Sequence, residues 1–70
     1  MNKFKIGDYV EVLMPTNHFD KRRYQNIIGK KFYVNGISGS YGVYMHENKN
    51  TTTRTLGTKY MSISLLKSVT

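Results

Sequence analysis

KKFYVNGISGSYGVYM, residues 30–45, is the stretch whose pattern decides the fold. Its first half alternates: Phe32 and Val34 fall on one side of an extended chain, with Lys31, Tyr33 and Asn35 on the other. Gly36 admits a bulge or bend before Ile37 resumes the strand. SGS, residues 38–40, is a tight connection, and a second alternating run follows. In it Tyr41, Val43 and Met45 share one face, read as the inner one, while Gly42, Tyr44 and His46 share the other. This is a hairpin with one greasy face, and such a face must be covered by further strands.

Upstream, KIGDYVEVLM (5–14) supplies the first of them. Gly7-Asp8 is turn chemistry, Val10, Val12 and Met14 point inward, and Pro15 removes a ladder donor and stops the strand. Phe4 and Ile6 are expected to tuck under its start. TNHFDKRRYQNIIG (16–29) shows no alternation and holds the densest charge cluster. A loop of this length in a compact domain either serves a function or folds locally, and Asp20 to Gln25 has room for a single helical turn. Ile27 and Ile28 return the chain to the core. Downstream, HENKNTTTRT (46–55) reads as a polar hairpin tip whose threonines favour extended structure as they leave the turn. A fourth strand is therefore expected from about Thr53 through Thr58 or beyond, bent at Gly57. Leu65-Leu66 marks a tight turn and Lys67 to Val69 a last short strand.

Several short strands with Gly and Asn turns argue an all-β fold, and at 70 residues a closed small barrel, because closure removes exposed sheet edges. The whole chain, 1–70, reads as a single domain. With no cysteine there is neither a disulfide scaffold nor a thiolate metal site, so stability rests on packing, and with three Phe and six Tyr in the chain a small aromatic-rich core is expected. No apolar run approaches the ~20 residues of a membrane span, and the expected setting is soluble and cytoplasmic. Eleven Lys/Arg against four Asp/Glu give a net charge of +7, a field that attracts nucleic acid, acidic proteins or anionic surfaces without choosing among them. The frequency of Lys, Asn, Ile and Tyr suits an AT-rich bacterial or phage genome.

The order IGDYVEVL, IIGKKFYVNGI, YGVYM and SISLLKSV resembles the SH3-like small barrels of the KOW-like type. In these a Gly-Asp-x-Val-x-Val strand precedes a Gly-led second strand, and a Leu-containing turn introduces the closing strand. The resemblance implies a five-stranded SH3-like barrel, here with a long basic first loop. It departs from the family at Phe32, where another glycine is frequent, and in the length of that loop. Members of this class bind RNA, DNA or proteins, or serve as structural subunits, so the resemblance implies no single ligand and no catalytic residue.

The strongest functional signal is KRRY, with Lys21, Arg22 and Arg23 as phosphate contacts and Tyr24 as a stacking ring; the alternative is a solvated loop. Lys30 and Lys31 enter the second strand near that loop, and Arg54 and Lys59 join them if the fourth strand passes close by; scattered surface cations are the alternative. Tyr33 and Tyr44, on the predicted outer faces of neighbouring strands, would stack bases or grip a peptide, unless one or both lie under a loop. Tyr9 has the same ambiguity, and Tyr41 is expected inside. His18 with Asp20, and His46 with Glu47, fall short of a metal site. No nucleophile-base pair or phosphate-cradling glycine motif argues for an enzyme, and no cofactor is expected. The leading reading is a basic nucleic-acid-binding protein, monomeric or weakly self-associating and without a membrane partner; the second is a regulatory module docking on an acidic host protein such as a transcription component.

Overall fold

The computed structural model describes residues 2–69. Five strands, β1 (Tyr9–Val12), β2 (Lys31–Ser38), β3 (Gly42–His46), β4 (Lys59–Ser62) and β5 (Leu66–Ser68), form one antiparallel sheet in the order β4-β3-β2-β1-β5. The first four strands run as a meander, and the last returns beside the first. A short helix, α1 (His18–Arg23), interrupts the first loop, and a 3-10 turn at Ile63–Leu65 joins β4 to β5.

One face of every strand feeds a single core. Val10 and Val12 of β1, Phe32 and Val34 of β2, Val43 and Met45 of β3, Met61 of β4 and Leu66 of β5 are buried together with Phe4. Both edges of the sheet thus reach the same cluster, so the sheet curls around it. The expected closure into a barrel does not occur, because β4 and β5 are edges that pair only inward. Their junction is a covalent corner: Ile63 N–H donates to Tyr41 O and Leu13 N–H to Leu65 O, each at 2.8 Å, and no ladder links the two edges. Both edges are short, and Lys59 and Lys67 stand on them, features that discourage edge-to-edge pairing.

The expected bulge is present. The β2–β3 register shifts between Val34 and Gly36, and a Cβ at Gly36 would collide with the side chain of Thr53 and crowd that of Tyr44. The bulge also overturns one expectation, since Asn35 does not face solvent but is only 6% exposed. Its Nδ2 lies 3.0 Å from Thr51 Oγ1, 3.0 Å from Thr52 O and 3.2 Å from Thr58 Oγ1, beneath the 47–58 connection.

Four further expectations are corrected. Met14 is 59% exposed, because β1 ends at Val12, where Val12 N–H donates to Lys30 O and Gly29 N–H to Val12 O at the base of the first loop. Ile6 is exposed at the tip of a turn made by Gly7 (φ 100°) and Asp8, whose carboxylate accepts from Lys5 N–H at 3.0 Å. Tyr41 is 78% exposed; it shares the phase of Val43 but precedes β3, beyond the end of the sheet. The fourth strand begins at Lys59, not near Thr53. The threonines before it form turns instead, with Thr58 Oγ1 donating to Thr55 O at 2.7 Å and Thr55 Oγ1 accepting from Thr52 N–H at 3.0 Å. Hydroxyls bonded locally to the backbone compete with ladder formation, and here they prevail over β-propensity.

Candidate nucleic-acid interface

The basic cluster lies on α1. Asn17 caps the helix, its Oδ1 accepting from Phe19 N–H at 2.8 Å and from Asp20 N–H at 3.4 Å. Asp20 occupies the first turn and Lys21, Arg22 and Arg23 the last, which matches the helix dipole at both ends. No residue of α1 is buried. Anchorage comes just after it: Tyr24 and Ile27 pack against the core, and Tyr24 O accepts from Ile27 N–H at 2.9 Å and from Ile28 N–H at 3.2 Å. The cations are therefore held at a defined place while remaining in solvent.

That anchorage forms a groove. Arg23, Tyr24, Asn26 and Ile27 line one wall and Lys59 and Tyr60 of β4 the other, around an open concavity of about 290 Å³. Tyr60 is fixed from behind: its ring meets Tyr44 edge to face at 5.3 Å between centroids and covers Gly42, where any side chain would displace it. The groove thus offers two cations, two tyrosines and one primary amide. On the opposite flank of α1, His18, Lys21, Arg22 and Gln25 line a second concavity of about 240 Å³.

Of the ten residues proposed from sequence, Arg23, Tyr24 and Lys59 share the first groove, and Lys21 and Arg22 line the second. Tyr44 supports the first groove through Tyr60. The other four lie elsewhere. Lys30 is exposed at the base of the first loop, and Lys31, also exposed, sits on β2 opposite Glu11. Tyr33 is half-buried against Tyr9, ring centroids 4.5 Å apart, and Arg54 is exposed on the 47–58 connection. Asn26, Ile27 and Tyr60 complete the first groove without having been singled out. For Tyr60 a signal existed: in TKYMS it alternates with the buried Met61 and so belongs on the solvent face. For Asn26 there was none.

His46, only 7% exposed, has both ring nitrogens engaged, Nδ1 accepting from Asn48 N–H and Nε2 facing Leu56 O, each at 3.0 Å. Among the described residues no group of three or more His, Cys, Asp or Glu is placed to hold a metal ion, and no helix is long and apolar enough to cross a membrane.

The five-stranded antiparallel sheet curled on one core defines a small all-β protein. Comparison with protein-family models, with curated proteins and with solved structures found no match.

Proposed function

We propose that this protein binds nucleic acid, with an unpaired nucleotide seated in the groove between α1 and β4. The observation that carries the reading is the convergence of Arg23 and Lys59 with Tyr24 and Tyr60 from segments more than thirty positions apart. Cations there neutralise phosphate, a tyrosine face stacks on a base, and Asn26 presents both a donor and an acceptor to a base edge. The concavity admits a splayed base, whereas a base pair in a duplex stays stacked away from such a wall. The net charge of +7 favours encounter with a polyanion. Within this proposal the protein is a cytoplasmic, non-enzymatic binding module, monomeric or weakly self-associating. The strand order and the 3-10 link between β4 and β5 support the SH3-like assignment that the sequence motifs suggest.

The test is a fluorescence-anisotropy titration of labelled dT12 and rU12, and of a 12-base-pair duplex, at 50 and 200 mM salt. Binding of the single strands, weakening steeply with salt, is the expected result; no binding at 50 mM salt sinks the proposal. A second reading, docking on an acidic protein, draws on Phe19, 80% exposed among the cations of α1. Retention of one stoichiometric protein partner after nuclease treatment, with no oligonucleotide binding, favours that reading.

A further inference from the structure

Helix α1 contributes nothing to the core, yet it is built with care: an Asn cap, an acidic first turn and a basic last turn. A six-residue helix has little stability of its own, so these features serve to hold its side chains in place. What is held is divided. Successive residues on a helix diverge by about 100°, so Arg22 and Arg23, adjacent in sequence, serve different concavities. His18, Lys21 and Arg22 follow the spacing of a single helical face and, with Gln25 of the turn after the helix, line the concavity of about 240 Å³, to which β4 contributes no residue.

The two flanks carry the same chemistry. On the β4 side stand two cations (Arg23, Lys59), aromatic rings (Tyr24, Tyr60) and a primary amide (Asn26). On the far side stand two cations (Lys21, Arg22), an aromatic ring (His18) and a primary amide (Gln25). His18 also meets Phe19 ring to ring, centroids 6.3 Å apart, which extends the aromatic surface at that end.

We infer that the far flank is a second nucleotide subsite, and that a bound single strand straddles α1 with one nucleotide in each groove and its phosphates drawn across the helix. This rests on the nucleic-acid reading above. A helix with its side chains is about 10–12 Å across, and bases rise ~3.4 Å each along a stacked strand, so a bridging ligand needs roughly four nucleotides or more. A trinucleotide occupies one groove at a time; a dodecanucleotide occupies both.

The decisive comparison uses labelled dT3 and dT12 with the intact protein, the Lys21→Ala/Arg22→Ala variant, and a Lys3→Ala/Lys67→Ala variant that removes the same amount of charge from outside both grooves. Because each phosphate contact on a single strand contributes ~0.7 to the slope of log affinity against log salt, the α1 double variant should flatten the dT12 slope by about 1.4. Its dT12 affinity should fall about tenfold or more at 100 mM salt, and the gain from dT3 to dT12 should shrink accordingly. The control variant should retain most of both slope and gain. Circular dichroism checks that each variant is folded, and Gln25→Ala, which leaves the charge unchanged, should by itself weaken dT12 several-fold and leave dT3 nearly unaffected. If the intact protein binds dT12 but the α1 and control variants lose affinity equally, the second subsite is refuted and the first groove stands. If the intact protein binds neither oligonucleotide at 50 mM salt, both proposals fall together.

Discussion

The two long connections of this protein differ in how far their side chains are used to hold them. The first, between β1 and β2, is organised by its own backbone: Lys21 N–H to Asn17 O, Tyr24 N–H to Asp20 O, Ile27 N–H to Tyr24 O and Lys30 N–H to Ile27 O follow one another at 2.9 to 3.0 Å. One side chain, Asn17, caps it, and its charged side chains are left to solvent. The second, between β3 and β4, has two such backbone turns, Thr55 N–H to Thr52 O at 3.0 Å and Thr58 N–H to Thr55 O at 3.1 Å, and is otherwise organised by side chains. Asn35 reaches into it from β2 and His46 from the end of β3, while Thr51, Thr52, Thr55 and Thr58 bond to its backbone. A connection whose backbone satisfies itself frees its side chains for a partner; one that depends on its side chains has few left over. That contrast is why the functional reading falls on the first connection, although both are polar and both carry arginine.

The largest effect expected from breaking this contrast is at Asn35. Asn35→Ala removes the donor shared among three acceptors in a buried site, and should destabilise the fold by about 2–3 kcal/mol, lowering Tm by roughly 10–20 °C. Thermal denaturation followed by circular dichroism measures it. Affinity for dT12, read below the new transition, should hold; a stable variant with lost binding would reverse the roles assigned to the two connections.

His46→Ala should cost about 1–2 kcal/mol, since the Asn48 N–H loses its acceptor and Leu56 O its neighbour. Hydrogen exchange reports the local consequence, with the Asn48 amide exchanging much faster while amides of β1 keep their protection relative to global stability. Equal protection of Asn48 in both forms would show that the histidine is not the fastening.

Asn17→Ala sharpens the comparison from the other side. Loss of the cap weakens α1 by about 1 kcal/mol, but α1 buries nothing, so Tm should move by only a degree or two. Faster exchange of the Phe19 and Asp20 amides is the expected signature, together with a several-fold weaker dT12 complex. A fall in Tm as large as that of Asn35→Ala would mean the helix supports the fold after all.

The smallest change in stability is expected for Arg23→Ala, within about 0.5 kcal/mol, because the side chain is exposed. Its binding effect should nonetheless be clear: a dT12 salt slope flatter by about 0.7 and an affinity several-fold lower, both read from anisotropy. An unchanged slope would remove Arg23 from the site.

Much of the fold was legible residue by residue. Val10, Val12, Phe32, Val34, Val43, Met45 and Met61 are inside, as period-two alternation requires, and the bulge at Gly36 lies where the glycine interrupts that alternation. Legibility failed where a neighbour in space overruled the local pattern. Tyr41 keeps the phase of Val43 but has no sheet beneath it, and Asn35 faces the outer side only to be covered by the 47–58 connection. The Thr run has β-propensity, yet its hydroxyls found backbone partners first. The site followed the same division: Arg23 and Tyr24 of KRRY marked one wall of the first groove, while Tyr60 and Asn26 became part of it only through the packing of Tyr24 and Ile27 against the core.

Alternation, turn chemistry and charge density are properties of short stretches, and from them the chain by itself determined five strands, a greasy inner face and a basic first connection. The failure of the sheet to close, the burial of Asn35 and His46, and the meeting of Arg23 with Lys59 are relations between distant stretches. Only the tertiary structure decided those, because they depend on which surfaces are left uncovered once the core has packed, and no local pattern contains that information.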